Sequence, residues 1–309
     1  MTAPYPIDLH LHTTVSDGTD TPAALLDRVR EAGIRLFSVT DHDATKGCAE
    51  IAPRLRAGDP DFLTGVEFST KDEEGQYHIL GYGYDPDAPA IGDVVAHGHA
   101  LRMNKLRQRL DFLRDAFGFS FSEADEAALF ALDNPGKPHI GNLMVRYGFA
   151  SSKEEAIEVY LNRHHAGSAY VRPEEAIAAI RESGGIPVLA HPAYGRGDEI
   201  LVGEAMARRL ARLTAFGLRG VEAFYSGFSP KLTAETLAFA ARFDLLVTAG
   251  SDYHGNNKTV ALGDTNLPAA ADYPAPLLRF LAEAAARSRT PRAVSRRSPP
   301  ADEAADARK

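Results

Sequence analysis

The sequence predicts an α/β fold: a barrel of about seven strand–helix units, interrupted once by an all-helical insertion. Three observations lead there. Short apolar runs alternate with amphipathic helical stretches over residues 1–89 and again over 170–288, the sign of parallel βα units. Between them, residues 90–169 read as one helix after another. The apolar runs also end, one after another, in histidine, aspartate or glutamate, as expected where strand ends converge on one face of a barrel.

The first strand begins at Ile7 and reads IDLHLHT. Asp17-Gly18 marks a turn, and Thr21-Pro22 an N-cap with proline at the first helical position. That helix, AALLDRVREAG, stops at Gly33. RLFSVTDHD is a strand ending in Asp41, His42 and Asp43, and a short helix follows from about Thr45. FLTGVEFST is a strand carrying Glu67, and EGQYHILGYGYD a fourth with His78 inside it. HGHALRMNKLRQRLDFLRDAFG is a single helix with a mixed basic and apolar face; FSEADEAALFAL and KPHIGNLMVRYG are also helical. SSKEEAIEVYLNRHH opens on a Ser-x-x-Glu capping pattern. The alternation resumes with the helix RPEEAIAAIRESGG and the strand IPVLAHP, which ends at His191. ILVGEAMARRLARLTAFG is a helix, RGVEAFYS a strand and PKLTAETLAFAARF a helix. LLVTAGSDYHG is the last clear strand, ending in Asp252-Tyr253-His254. A final helix covers about 274–287, and 289–309, rich in Pro, Ser, Arg, Ala and Asp, is expected as a disordered tail.

Composition bounds the function. With 44% apolar and 25% charged residues the chain has the balance of an ordinary soluble globular protein. A net charge of −8 argues against a broad basic surface for nucleic acid but leaves room for a local basic pocket. The one cysteine, Cys48, rules out an intrachain disulfide and reads as a packed small side chain rather than a nucleophile. No apolar run of membrane-spanning length and no signal-peptide pattern is present, so a cytoplasmic location and no membrane partner are expected.

Nine ligand-type residues fall at or near strand ends: His10, His12, Asp17, His42, Glu67, His78, His191, Asp252 and His254. His10 and His12 are two apart, hence on one face of a strand. Each residue alone has a plain alternative. The His pair fits a satisfied core, Asp17 an Asx turn, Asp252 a turn cap and Glu67 a solvated strand face. Jointly they point to metal. Nine are too many for one ion, which takes about four to six ligands. Histidine and carboxylate without thiolate favours manganese, iron or zinc. Several ions in one site suit phosphoryl transfer, where attacking and leaving oxygens both need stabilising.

DLHLHTTVSDG, TDHD, the strand glutamate, AHP and SDYH together resemble the PHP (polymerase and histidinol phosphatase) phosphoesterases. The resemblance covers nearly the whole chain to about Pro268. It implies a distorted (β/α)7 barrel with a trinuclear centre of divalent ions. One ion would take His10, His12, Glu67 and Asp252; a second Glu67, His78 and His191; a third Asp17, His42 and His254. The helical insertion resembles the cap-bearing branch, similar to 3′,5′-nucleoside bisphosphate phosphatases, AMP-hydrolysing relatives and an RNase that trims 5′ ends. Arg102-x-x-Lys105 is similar to that branch's Arg-x-x-Arg, and KPHIGNLMVRYG to its Arg-Pro-His-Ile-Ala segment, with Lys137 as a point charge where a bidentate arginine is commoner. AYVRP and VEAFYSG fit as well. His97, His99, His164 and His165 match no ligand of the family and read as cap or surface residues.

The reading is a phosphoesterase with two or three divalent ions (manganese, iron or zinc) acting through a metal-bound hydroxide. Asp252 or His254 is expected to relay a proton to the leaving oxygen. Arg102, Lys105, Lys137 and His139 are expected to bind substrate phosphate, and Tyr225 and Ser226 to contact the substrate; Glu222 and Tyr225, at a strand end, either line the pocket or are structural. The expected substrate is a small nucleotide, such as 3′-phosphoadenosine 5′-phosphate or an AMP-like monophosphate. Three alternatives stand beside it. They are a 5′→3′ exoribonuclease on short RNA, a histidinol phosphatase (which the cap disfavours), and a non-catalytic metal-binding module, against which the complete ligand set argues.

Overall fold

The computed structural model describes residues 6–132, 135–164, 170–195, 199–268 and 270–291. Among them seven strands form one sheet in chain order: β1 (Ile7–Leu11), β2 (Leu36–Val39), β3 (Asp61–Lys71), β4 (Gln76–Tyr82), β5 (Ile186–Leu189), β6 (Gly220–Tyr225) and β7 (Leu246–Gly250). Just past the strand ends β1 and β7 meet. The Asp252 N–H donates to the His10 carbonyl at 2.9 Å, and the His12 N–H to the Tyr253 carbonyl at 3.0 Å. The sheet thus curls into the nearly closed barrel expected. Strands β1, β2, β5, β6 and β7 are buried at every residue, which is why they read as continuous apolar runs rather than alternating ones.

One expectation fails: the units are not uniformly parallel. β4 runs antiparallel to both β3 and β5, while the other neighbours pair in parallel. The cause is the link between β3 and β4, residues 72–75, far shorter than the dozen or so residues a parallel crossover needs. Asp72 closes this turn by accepting the N–H groups of Glu74 and Gly75 at 2.8 and 3.0 Å. Because β4 is reversed, its N-terminal half reaches the end of the barrel where the other strands finish. That is why His78 sits near the start of its strand and still joins the site.

Helices cover the outside. In chain order they are α1 (Pro22–Glu31), α2 (Lys46–Ile51), α3 (Pro89–Phe117), α4 (Glu123–Phe130), α5 (Lys137–Arg146), α6 (Lys153–Glu155), α7 (Pro173–Glu182), α8 (Gly203–Ala215), α9 (Pro230–Arg242) and α10 (Ala275–Ala285). The predicted caps hold: Thr21 accepts the Ala24 N–H at 3.2 Å, and Gly33 takes the left-handed conformation at φ 67°. α8 starts later than its sequence run, because residues ahead of it lie against the loop after β5; the Leu201 N–H donates to the Ala193 carbonyl at 2.7 Å. Cys48 is buried against the Val39 and Gly65 carbonyls, as a packed side chain should be, and burial pushes its thiol up to about 12.

Two packing regions meet along α3. Its first half buries Ile91 and Val94 in the barrel core. Its second half buries Leu106, Leu110 and Leu113 with Leu129, Ile140 and Met144 in a separate cluster. Rings of Phe119, Phe121, Tyr147 and Phe149 stack around that cluster. Of the expected tail, Arg289 and Thr290 are hydrogen-bonded to Phe62 and Pro60, and residues 292–309 lie outside those described, as does His165.

Candidate metal centre

Glu67 is the hub. It lies in the middle of β3, 1% exposed, with both carboxylate oxygens turned into the barrel mouth. Oε2 stands 3.1 Å from His10 Nε2, 3.2 Å from His12 Nε2 and 3.2 Å from His42 Nδ1. Oε1 stands 2.9 Å from His78 Nδ1 and 3.4 Å from His191 Nε2. Asp252 Oδ1 reaches the same two imidazoles of β1, at 3.5 Å from His10 Nε2 and 3.4 Å from His12 Nε2. Asp17 and His254 form the far side: His254 Nε2 is 3.2 Å from Asp17 Oδ1, and its ring stacks on His12 at 4.0 Å. All nine residues expected from sequence therefore meet at one end of the barrel.

Backbone geometry aims them. His191, Asp252 and Asp43 adopt positive φ values of 27°, 59° and 52°, costly for non-glycine residues and concentrated here at strand ends. Asp41 holds the loop after β1, accepting the Thr13 N–H at 2.7 Å and the Thr13 and Ser16 hydroxyls at 2.8 Å each. Gly250 has no room for a side chain. A Cβ there would strike His10 and the Glu222 carboxylate.

The ligand atoms fit divalent cations. His10 Nε2, His12 Nε2, His42 Nδ1, His78 Nδ1 and both oxygens of Glu67 are buried, yet none has a partner at hydrogen-bonding geometry. Buried polar atoms without partners are costly, and here six converge. Three groupings lie within reach of a single ion: His10, His12 and Glu67; His42, Glu67 and His78; and His12, Asp17, His42 and His254. Glu67 belongs to two of them, as a bridging carboxylate would. Electrostatics agree. Burial opposes charging His10 and His12, but the surrounding carboxylates prevail, raising His10 well above its ordinary value and His12 to about 9. His42 is driven by burial down to about 3. Burial also works against ionised Glu67 and Asp252, yet the imidazoles hold both well below the usual carboxylate range. A divalent cation would compete with protons for these bases.

Behind the ligands stand groups that sequence reasoning placed loosely or missed. Glu222, fully buried, accepts from His10 Nδ1 at 3.0 Å and from the His191 N–H at 2.9 Å. A His10 proton on Nδ1 leaves Nε2 free toward Glu67, so Glu222 favours that tautomer, in keeping with the structural role open to it in the sequence. Asp252 Oδ2 accepts from the Tyr225 hydroxyl at 2.9 Å and from Lys258 Nζ at 2.6 Å. The loop bearing Lys258 is clasped to the ligand loop of β1: Asn257 Nδ2 donates to the Asp17 carbonyl at 2.7 Å and the Asn256 N–H to Thr19 Oγ1 at 2.9 Å. The Ser226 hydroxyl donates to the Ser251 carbonyl at 2.8 Å and so braces the loop. Lys258 carried a signal in the sequence, a cation six residues past a strand-end aspartate, but one too common to stand out.

The expected phosphate binders gather from the insertion. Arg102 is ion-paired to Asp43. Lys105 sits 5.8 Å from the Tyr170 ring centroid, and Lys137 donates to Asn162. His139 Nδ1 accepts the Gly136 N–H at 3.0 Å, capping α5 with one ring nitrogen. Arg109 and Lys71, not foreseen, join the group. Lys105 is pushed down to about 8 by burial and by Arg109, Lys71, Lys137 and Arg102 in turn. Asp43 already offsets Arg102 in this group, and a further anion beside Lys105 would relieve the remaining repulsion.

Comparison with known proteins agrees with this geometry. The PHP domain model matches residues 8–147. A 3′,5′-nucleoside bisphosphate phosphatase of Chromobacterium violaceum is 32% identical over 80% of this chain and 87% of its own. A 5′-3′ exoribonuclease of Haemophilus influenzae is 29% identical over 82% of this chain and 91% of its own. A crystal structure from Bifidobacterium adolescentis, described as a metal-dependent phosphoesterase, superposes with a TM-score of 0.65 at 30% identity, covering 91% of this chain and 96% of that one. With its nearly closed seven-stranded barrel and cluster of buried imidazoles and carboxylates, the chain belongs to the PHP-domain family of metal-dependent phosphoesterases.

Proposed function

We propose that this protein hydrolyses the phosphate monoester of a small nucleotide, a 3′,5′-bisphosphate in first place, with two or three manganese, iron or zinc ions held by the nine residues around Glu67. The observation that carries the reading is Glu67, whose two oxygens each face imidazoles with ring nitrogens that lack hydrogen-bond partners, together with the basic side chains gathered around Lys105, of which Arg102 is paired with Asp43. When bound, the ions would activate water and offset the charge that develops on the phosphoryl oxygens.

The chain's own groups do the rest. Arg102, Lys105 and Lys137 bind the phosphate by charge-assisted hydrogen bonds, with His139 at the edge of the same cluster. Tyr225 and Lys258 hold Asp252 as a carboxylate, so the relay expected of Asp252 passes through Lys258, a donor at the lip whose side chain is 41% exposed. His254, its Nδ1 on the Asp252 carbonyl at 2.8 Å, serves as a ligand beside Asp17. The segment 90–169 acts as a cap that presents these cations to the barrel mouth.

A second reading, exonuclease action on short RNA, has one observation in its favour. Arg102, Lys105 and Arg109 share one face of α3 and carry positive charge about 10 Å along it, longer than one phosphate requires. Phosphate release from a 3′,5′-bisphosphate, a 5′-monophosphate and a short 5′-phosphorylated RNA, each with manganese, decides between them. Preference for the bisphosphate is expected. Inactivity on all three would remove the reading.

A further inference from the structure

Beside the imidazoles of His78 and His191 lies a cavity of about 240 Å³ that the roles assigned above leave unused. Three tyrosines line it, from three segments: Tyr77 of β4, Tyr194 of the loop after β5, and Tyr170 just ahead of α7. Tyr77 and Tyr194 are held by hydrogen bonds and ring contacts. The Tyr77 hydroxyl donates to Asp72 Oδ1 at 3.2 Å, and the Arg209 guanidinium sits 5.1 Å from its ring centroid. The Tyr194 hydroxyl donates to the Gly227 carbonyl at 3.1 Å, and its ring packs edge-on against Tyr225 and Phe228 at 5.7 and 5.6 Å. Arg209 also ties down the loop carrying Tyr194, through the Pro192 and Tyr194 carbonyls at 3.1 and 2.7 Å. Rings set before a ligand arrives cost little ordering on binding.

The surroundings define the ligand. On one side the cavity opens to two imidazoles of the metal centre. On another, Tyr170 carries Lys105 at 5.8 Å from its ring, so the cavity also adjoins the phosphate-binding cations. Ser69 and Gln76 offer a hydroxyl and an amide at its wall. Aromatic walls with a few polar edges suit a flat heteroaromatic ring that hydrogen-bonds at its rim. The volume lies below the ~300–1,000 Å³ of pockets for drug-sized ligands, which suits a single base.

We propose that this cavity is the nucleobase subsite, holding the base of the substrate between Tyr170 and Tyr194 while its phosphates meet the metal centre and the cap cations. The proposal rests on the phosphoesterase reading above. It makes the base, and not only the sugar phosphate, a determinant of turnover.

The test compares kcat/KM for a 3′,5′-adenosine bisphosphate with that for ribose 5-phosphate, which has no base, in manganese-supplemented wild type, Tyr170→Leu and Tyr170→Phe. Loss of one base–aromatic stack should lower the nucleotide-to-sugar ratio about tenfold in the leucine variant, and phenylalanine should restore it. Titration of the full-length protein with adenosine, followed by calorimetry, needs no turnover. Wild type should bind and Tyr170→Leu should bind more weakly. An unchanged ratio in the leucine variant, or no adenosine binding by wild type, would overturn the proposal. Should the protein cleave no phosphoester, the functional reading falls, and the adenosine titration still decides the cavity.

Discussion

Glu222 illustrates how much of this site is set one residue behind the ligands. Its carboxylate holds His10 of β1 through Nδ1 and the backbone N–H of His191 just past β5. Glu222→Gln should leave the fold intact and weaken metal affinity about 10- to 100-fold, measured by titrating metal into chelator-treated protein. Retained affinity would make Glu222 a packing residue only. Lys258 is a second case. Lys258→Met should lower kcat several-fold while metal content stays at the wild-type level. An arginine there should recover part of the loss if charge, rather than proton transfer, is what counts. At this scale the convergence of the nine residues was legible in the sequence, because strand ends in a barrel meet and nine metal-type residues at such ends are hard to explain separately. Glu222 and Lys258 were not, since a buried carboxylate in a strand and a lysine in a loop acquire meaning only from what they touch.

Among the elements, β4 carried the clearest misreading. Its composition is that of any strand, and only the four-residue link ahead of it dictates reversal. Link length was in the sequence and outweighs the surrounding alternation. α3 was legible as a long helix with a mixed face, yet its double duty was not: Ile91 and Val94 belong to the barrel core, and Leu106 and Leu110 to the second hydrophobic cluster. Its basic face supplies the prediction for this scale. Lys105→Ala should raise KM for a bisphosphate about tenfold with a smaller change in kcat, since a ground-state phosphate contact is what is removed. A fall in kcat at constant KM would place Lys105 in the chemistry instead.

For the whole molecule, the site couples metal, protons and stability. His12 in the metal-free fold is raised to about 9 because Asp252 and Glu67 outweigh its burial. A raised histidine stabilises the fold fully below its unfolded value near 6.5, and that contribution is lost as pH climbs through about 9. Metal-free protein should therefore lose thermal stability between about pH 6.5 and 9. Metal loading runs the other way, since the ion must displace the proton, so apparent affinity should rise over the same interval. Thermal melts with and without metal across that range check both signs. A metal-free melting temperature that does not change with pH would contradict the coupling. A net charge of −8 does not preclude an anionic substrate, because Arg102, Lys137, Arg109 and Lys71 gather around Lys105. No described helix is long and apolar enough to cross a membrane.

The central claim is that the residues around Glu67 hold divalent ions for phosphoester cleavage, and one paired measurement addresses it directly. Bound manganese, iron and zinc are counted by elemental analysis in wild type and in His191→Ala, and phosphate release from a 3′,5′-bisphosphate is followed on the same samples. The account predicts two or three ions per chain and turnover in wild type, with fewer ions and activity lost in the variant. Less than one ion per wild-type chain after supplementation, or undiminished turnover in His191→Ala, would contradict it.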